Sequence, residues 1–201
     1  MFVAANGSGL TGTKFSVVRY GNVVGSRGSV IPYFLAQRPT GVITLTDPRM
    51  TRFLITLVKG VDFVCDSLDV MLGGEIFVPK IPSVMISDLA TVIAPECEQR
   101  VIGIRPGEKL HETMVSQDDA RLTIDFGTYF VIQPTHSFWN PKDFIENGGG
   151  IICPEGFQYS SDSNTQWLSD GEIEALVEDV KNNGSSYDVP LASEPRFIVG
   201  G

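Results

Sequence analysis

Short runs of β-branched and aromatic residues alternate with helix-forming segments along this sequence, and this alternation constrains the fold more than any other feature. The strand-like runs are residues 14–20, 42–45, 75–78, 101–104 and 129–132. Strands and helices in alternation predict the α/β class. The first run is predicted to be a buried parallel strand that ends near Gly21.

Helical periodicity is clearest in the middle of the chain. Apolar residues recur at spacings of three and four, as expected for one face of a helix, at Leu57, Val61, Val64, Cys65, Leu68 and Leu72. Thr56 is predicted to cap this helix and Gly73-Gly74 to end it. Four further helices are predicted to begin near Ser29, Ser87, Glu108 and Ser169, the last with Glu172 in a capping box.

Composition excludes several classes of partner. The chain has 15 Lys+Arg against 24 Asp+Glu, a formal net charge of −9, and no basic cluster for nucleic acid. No apolar stretch approaches the roughly 18–20 residues of a membrane helix. Three widely spaced cysteines, Cys65, Cys97 and Cys153, fit reduced thiols, so we expect a cytoplasmic protein without nucleic-acid or membrane partners.

Two motif-like strings are interpreted as structural. Residues 7–12 match G-x-G-x-x-G, but a dinucleotide site needs this loop between a strand and a helix, and here it precedes a predicted strand. We interpret it as a turn. His111-Glu112 lacks the second histidine of a zinc-protease helix, because Val115 stands there, and no metal site is expected.

Arginines occur in three segments at predicted strand ends and in loops, the second of them just before the long helix. They lie in Arg19-Tyr20-Gly21-Asn22, Arg49-Met50-Thr51-Arg52 and Arg105-Pro106-Gly107-Glu108. Ligands of α/β sheets bind beyond the carboxyl ends of the strands, so these segments are predicted to converge. The planar guanidinium donates two parallel hydrogen bonds and therefore suits a diphosphate. A solvated or salt-bridged surface arginine is the alternative interpretation at each position.

Four segments together closely resemble the inverting UDP-N-acetylglucosamine 4,6-dehydratases, which are extended short-chain dehydrogenase/reductase enzymes acting on nucleotide sugars. They are residues 15–32, 46–53, 74–80 and 104–112, and the resemblance runs from Phe2 to about Leu168. It implies the C-terminal part of a Rossmann-type parallel sheet plus a small α/β substrate-binding region, without the N-terminal dinucleotide-binding strands. Residues 1–182 would form this part and residues 183–201 a flexible tail.

The resemblance also implies roles for particular residues. Asn22 resembles the asparagine that contacts the sugar nucleotide, and Val30-Ile31-Pro32 the segment near the uracil. Arg52 and Arg105 resemble the diphosphate-binding arginines, and Glu108 the acidic residue near the ribose hydroxyls. Arg49 and Arg27 are weaker substrate-binding candidates, and Tyr20 is the one candidate for cofactor contact.

The family reaction uses NADP: hydride leaves sugar C4, water is lost across C5 and C6, and hydride returns to C6 with inversion at C5. By this resemblance the product feeds pseudaminic acid or related surface and flagellar glycans, and the full-length enzyme is a homo-oligomer. The family's Tyr-x-x-x-Lys helix and its Gly-rich loop after a strand are not in this sequence, and residues 2–6 resemble the end of that helix.

We therefore expect no catalytic residue in this chain, and neither activity nor good solubility for the chain alone, because the strand at 14–20 would lack sheet neighbours. The alternatives are another nucleotide-sugar epimerase or dehydratase of the superfamily, and a non-catalytic UDP-sugar-binding remnant.

Overall fold

The computed structural model describes residues 12–26, 28–135, 145 and 148–183. Its strands are β1 (Val17–Val18), β2 (Asn22–Val23), β3 (Val42–Leu45), β4 (Thr51–Ile55), β5 (Ile76–Pro79), β6 (Ser83–Met85), β7 (Glu98–Val101), β8 (Thr113–Val115), β9 (Thr123–Asp125), β10 (Tyr129–Ile132), β11 (Ile151–Ile152) and β12 (Tyr159–Ser160). Its helices are α1 (Val30–Gln37), α2 (Leu57–Val70), α3 (Ile86–Ile93) and α4 (Asp170–Asn183), with short 3₁₀ turns at Arg38–Thr40 and Ala120–Leu122. Strands and helices alternate as the sequence predicts, so the α/β class is confirmed.

The chain divides into two compact units. The first unit comprises Met1–Val23, Thr51–Val84 and Lys109–Trp167, and the second comprises Val24–Met50, Met85–Glu108 and Leu168–Gly201. The two units interleave along the sequence, so neither is a continuous stretch of chain.

The first unit is built on a five-stranded mixed sheet in the order β1-β5-β10-β9-β11. β1 runs parallel to β5, whereas the other neighbours are antiparallel. A second sheet has the order β2-β4-β6, with β2 parallel to β4. The core between them is aromatic: the Tyr159 ring lies 4.7 Å from that of Phe53 and 5.1 Å from that of Phe130.

The second unit pairs β3 with β7 in parallel over four residues, from Val42 opposite Glu98 to Leu45 opposite Val101. Helices α1, α3 and α4 contact one another and α1 and α3 contact β3. The buried side chains of this unit include Ile31, Phe34, Ile43, Leu45, Leu89 and Ile173.

The helix starts predicted at Thr56 and Ser169 are confirmed. The Thr56 hydroxyl accepts a hydrogen bond from the Lys59 N–H at 3.3 Å, which satisfies one of the unpaired donors at the start of α2. At the start of α4, the Ser169 N–H donates to the Glu172 carboxylate at 2.9 Å, which is half of the predicted capping box. Local side-chain chemistry therefore defines where these helices begin.

The apolar face of α2 is exposed in the described structure. Leu57 and Leu68 are each 63% exposed, whereas Gly60 and Ser67 are the buried positions of the helix. The helix contacts the sheet instead through Phe63, which packs against the cluster of Phe77 and Val131. The periodicity thus predicts the helix correctly, but it does not predict which side of the helix is buried.

The predicted helix at 108–115 is wrong. Its second half is β8, which pairs with β12 so that Val115 lies opposite Tyr159. Its first half is irregular, because the carbonyls of Lys109 and Leu110 accept hydrogen bonds from the Arg52 guanidinium instead of from helical N–H groups. A tertiary contact thus overrides the local helical pattern.

Other boundaries also differ from the predictions. The strand expected at 101–104 is β7, at Glu98–Val101, and Gly103 has a φ of +91° just after it, which ends the extended backbone. Ser87 does not cap α3, because the helix begins at Ile86 and Met85 occupies the cap position. β5 includes Pro79 rather than stopping before it.

β1 is parallel, as predicted, but it is shorter and less buried. Phe15 and Tyr20 on either side of it are 43% and 41% exposed. The reason is its position at the end of the strand order, where β1 has β5 as its one partner among the described strands. Residues 1–11, Arg27, 136–144, 146–147 and 184–201 lie outside the described residues. Of the turn predicted at 7–12 only Gly12 is described, and of the tail predicted at 183–201 only Asn183, which is the last residue of α4.

Candidate functional site

A polar cluster in the first unit joins the start of β2, strand β4 and the loop at 109–112. The Asn22 amide, oriented so that its nitrogen donates, reaches Glu112 Oε1 at 3.0 Å and Oε2 at 3.1 Å; this orientation is the one that satisfies the hydrogen bonds. Arg52 Nε lies 3.7 Å from Glu112 Oε1. The Phe53 N–H donates to Glu112 Oε2 at 3.4 Å. The Glu112 carboxylate therefore collects donors from β2 and β4.

The Arg52 guanidinium is bound to the protein backbone. Its Nη1 donates to the carbonyls of Thr51 at 2.7 Å and Leu110 at 3.1 Å, and its Nη2 donates to the carbonyl of Lys109 at 2.8 Å. Its side chain is 15% exposed. These charge-assisted bonds fix the loop at 109–112 against β4. Binding of a diphosphate by Arg52 stays a prediction, and the described contacts give this arginine a structural role.

Glu112 is the titratable group most affected by this arrangement. Burial raises the pKa of its carboxyl above the ordinary value, and the nearby Arg52 guanidinium partly opposes that rise. The carboxylate therefore depends on its hydrogen-bond donors to remain charged in a partly desolvated place.

A chain of hydroxyl groups supports the same loop. The Thr51 hydroxyl lies 2.6 Å from the Ser161 hydroxyl and 2.8 Å from His111 Nδ1. Ser161 Oγ also accepts a hydrogen bond from the Glu112 N–H at 2.9 Å. Because Thr51 and Ser161 are buried, these bonds hold His111 and Glu112 in fixed positions.

Gly21 allows β2 to approach β4 closely. A Cβ at this position would lie 2.4 Å from the Phe53 Cβ and 2.5 Å from the Phe53 carbonyl oxygen, so no other residue fits without movement of the backbone. The close approach places Asn22 beside Glu112. Sequence analysis did not identify this role of Gly21.

The second unit holds the Arg105–Glu108 segment in a tight turn. The Glu108 N–H donates to the Arg105 carbonyl at 3.0 Å, and the Arg105 N–H donates to Glu108 Oε2 at 3.2 Å. The Thr46 hydroxyl donates to Glu108 Oε1 at 3.2 Å. Arg105 is exposed and Glu108 is half-buried. The turn thus presents the guanidinium of Arg105 to solvent while Glu108 orders its backbone.

The other predicted site residues lie in an ion pair, in the core or at the surface. Arg49 forms a two-pronged ion pair with Asp47, with Nε–Oδ1 at 3.0 Å and Nη2–Oδ2 at 2.7 Å. Ile31 belongs to the core, whereas its neighbours Val30 and Pro32 are half-buried in the first turn of α1. Tyr20 is exposed beside β2. The ion pair favours the salt-bridged interpretation of Arg49.

The structure brings some predicted residues together and leaves others untested. Asn22 and Arg52 meet at one carboxylate in the first unit, and Arg105 and Glu108 share one turn in the second. Convergence of the two pairs around one ligand stays a prediction. The central residue of the first cluster, Glu112, was missed, because His111-Glu112 was considered only as a metal motif. Among the described residues, no three His, Cys, Asp or Glu side chains are grouped as a metal would need.

Comparisons with known proteins identify relatives of this chain. UDP-N-acetylglucosamine 4,6-dehydratase (inverting) of Campylobacter jejuni subsp. jejuni serotype O:23/36 is 49% identical over 184 residues, 88% of this chain and 55% of that protein. UDP-glucose 4-epimerase of Rickettsia bellii is 37% identical over 171 residues, 82% of this chain and 49% of that protein. The chain thus spans about half the length of these curated relatives.

This chain is also similar to a solved structure described as the X-ray structure of Pen from Bacillus thuringiensis. The match covers 90% of this chain and 55% of the chain in that structure. The TM-score is 0.75 and the sequence identity 29%. Within the residues that the structure describes, no helix is both long and apolar enough to cross a bilayer.

A family match covers residues 1–134, which include all three arginine-bearing segments and the Glu112 loop. This chain therefore belongs to the family described as polysaccharide biosynthesis protein.

Proposed function

We propose that this chain is the sugar-nucleotide-binding part of a UDP-N-acetylglucosamine 4,6-dehydratase that inverts C5. The observation that carries the proposal is the 49% identity to the Campylobacter jejuni dehydratase over 88% of the chain. The family match over residues 1–134 spans the polar cluster of Asn22, Arg52 and Glu112 and the turn of Arg105 and Glu108. Because the chain spans 55% of that relative, dehydration itself is proposed for the whole enzyme.

The cofactor of the whole enzyme is proposed to be NADP, which would supply hydride transfer. The described residues do not form its binding loop. The G-x-G-x-x-G string at residues 7–12 is followed in the chain by strand β1. A phosphate-binding loop of a dinucleotide site is followed by a helix instead. The contribution proposed for this chain is therefore to bind and orient the substrate.

Arg105 is the residue of this chain best placed to hold a diphosphate. Its side chain is exposed, and the turn that carries it is ordered by Glu108 and Thr46. A fork of two charge-assisted hydrogen bonds suits a pyrophosphate oxygen pair. Glu108, half-buried in the same turn, is proposed to lie near the ribose hydroxyls, and Val30 and Pro32 near the uracil.

Isothermal titration calorimetry with UDP and UDP-N-acetylglucosamine tests the proposal on the 201-residue chain. We expect both to bind, and Arg105→Ala to weaken both roughly ten- to a hundredfold, because one charge-assisted contact is worth about 1.5–3 kcal/mol. Arg100→Ala is the matched control, since Arg100 is an exposed arginine of the same unit that pairs with Glu98. An unchanged affinity in Arg105→Ala, or no binding by the unaltered chain, contradicts the proposal.

The similarity to a UDP-glucose 4-epimerase supports a second candidate, an epimerase of the same superfamily. NMR of the product formed by the full-length protein separates the two. A 4-keto-6-deoxy sugar inverted at C5 supports the dehydratase, and a sugar inverted only at C4 supports the epimerase. Binding with no product from the full-length protein supports a non-catalytic UDP-sugar-binding protein.

The wider setting is also part of the proposal. The whole enzyme is proposed to be a cytoplasmic homo-oligomer and a hydro-lyase that serves pseudaminic acid or a related surface or flagellar glycan. The reduced-thiol interpretation of the three cysteines supports the cytoplasmic placement.

A further inference from the structure

Strand β7 of the second unit has an open edge. Its one partner among the described strands is β3, and every residue of β7 is exposed. The Ile102 N–H, just after the strand, donates to the Leu45 carbonyl of β3 at 2.8 Å. The backbone groups of successive strand residues point to opposite edges, so those of Gln99 and Val101 point away from β3. A further strand can therefore bond to this edge.

The side chains of β7 divide between two faces. The Gln99 amide donates to the Ser87 carbonyl at 3.2 Å and to the Thr91 hydroxyl at 2.8 Å, and both acceptors belong to α3. Because side chains alternate along a strand, Glu98 and Arg100 lie on the face opposite to Gln99. They are 64% and 58% exposed, and Arg100 Nη2 lies 3.4 Å from Glu98 Oε1. One face of the strand is thus held by α3, and the other carries two opposite charges.

We propose that the open edge of β7 binds the same edge of a second copy of this chain, antiparallel and with Gln99 on the two-fold axis. In this register the backbone of Gln99 exchanges both its hydrogen bonds with Gln99 of the second copy. Glu98 then lies directly opposite Arg100 of the second copy, and Arg100 opposite Glu98. Such cross-strand pairs of opposite charge stabilise a sheet. The surface is self-complementary, as a two-fold interface requires.

The charges and the backbone select this register. A register centred on Arg100 places two arginines directly opposite each other, and like charges in that position destabilise a sheet. A register centred on Val101 needs extended backbone at Gly103, whose φ is +91°.

The charges also select the occupant of the edge. Charges of one sign along an edge would repel a second copy in every register, and this is one way in which proteins protect edge strands. Glu98 and Arg100 have opposite signs and lie two residues apart on one face, so they attract an antiparallel copy. A second copy of the chain is therefore the partner that fits this edge.

Charge reversal separates this edge from any other surface through which the chain could associate. Glu98→Arg and Arg100→Glu each place like charges opposite each other, so each variant alone is expected to self-associate about tenfold more weakly. In an equimolar mixture of the two variants every cross-strand pair has opposite charges again. The mixture is expected to associate to within about threefold of the unaltered chain, and so is the double variant, in which the two charges are exchanged. Sedimentation velocity over a range of protein concentrations measures these affinities.

Glu178→Lys and Lys181→Glu are the matched controls, because this exposed ion pair lies on α4 of the same unit and the variants change the net charge equally. We expect them to leave self-association unchanged, alone and mixed. A monomeric unaltered chain, single reversals that do not weaken association, or a mixture that does not restore it overturns the proposal.

The inference rests on the homo-oligomer of the proposed function but not on its ligand. Calorimetry with UDP and sedimentation therefore report on separate claims. Absence of UDP binding contradicts the proposed function and leaves the β7 interface intact. Absence of charge-dependent association refutes the interface and leaves UDP binding intact.

Discussion

Replacing Arg52→Lys is predicted to destabilise the first unit even though the positive charge is kept. The guanidinium donates to the carbonyls of Thr51, Leu110 and Lys109. A lysine ammonium is a point donor and does not span this fork, so we take two of the three bonds as lost. Each bond to a charged group contributes about 1.5–3 kcal/mol, so the loss of two should lower the free energy of unfolding by about 3–6 kcal/mol.

Urea denaturation followed by tryptophan fluorescence measures this change, since Trp167 belongs to the first unit. The control is Arg121→Lys, an exposed arginine of the same unit, which should change the free energy of unfolding by less than about 0.5 kcal/mol. If Arg52→Lys stays within about 1 kcal/mol of the unaltered chain, the backbone contacts of Arg52 do not stabilise the loop as argued. A loss of UDP binding in Arg52 variants would then be attributable to a ligand contact.

Three further predictions concern the first unit. The Tyr159 hydroxyl accepts from the Ile81 N–H at 2.9 Å and donates to the Ile81 carbonyl at 3.0 Å, so Tyr159→Phe should cost about 2–4 kcal/mol in urea denaturation. Burial raises the pKa of Tyr159 to about 12, so its contribution is complete below about pH 10 and is lost as pH rises through 12; a difference from Tyr159→Phe that does not shrink above pH 10 contradicts this. Burial raises the pKa of the Cys153 thiol to about 11, so at pH 8 only about one thiol in a thousand is ionised and iodoacetamide should label exposed Cys65 first, as peptide mass spectrometry would show. Gly21→Ala should prevent native packing of β2 on β4, and a cooperative unfolding transition at the unaltered urea midpoint would show that the backbone adjusts easily.

The sequence predicts the elements whose signals are local. α2 and α4 begin at side chains that cap their own N–H groups, and such contacts depend on residues three positions away. β10 (Tyr129–Ile132) is a short β-branched and aromatic run and forms as predicted. The element at 108–115 is mispredicted, because its helical pattern competes with bonds from Arg52, which is 57 and 58 residues distant in sequence. The residues at 108–115 alone therefore cannot predict that these carbonyls bind Arg52.

In the candidate site, too, the sequence predicts what depends on local signals and does not predict what depends on tertiary contacts. Arginines at strand ends could be found from the sequence, since residue type and position suffice to suggest anion binding. Whether such an arginine is exposed or bound to the backbone depends on tertiary contacts: Arg105 is exposed, whereas the side chain of Arg52 is 15% exposed and faces three carbonyls. Glu112 could not be identified, because its importance comes from Asn22, 90 residues earlier in the chain.

The two polar clusters differ in what their arginines contact: Arg52 donates to backbone carbonyls, whereas the side chain of Arg105 is exposed. A chain of net charge −9 repels a diphosphate at long range, so affinity must come from cations with donors directed at the ligand. In the first unit, the Arg52 donors are directed at backbone carbonyls and the Asn22 nitrogen at Glu112. In the second unit, the Arg105 side chain is exposed on an ordered turn. If Arg105 holds the diphosphate, added salt should weaken the binding of UDP to the unaltered chain more than to Arg105→Ala, and calorimetry at low and high ionic strength measures this difference.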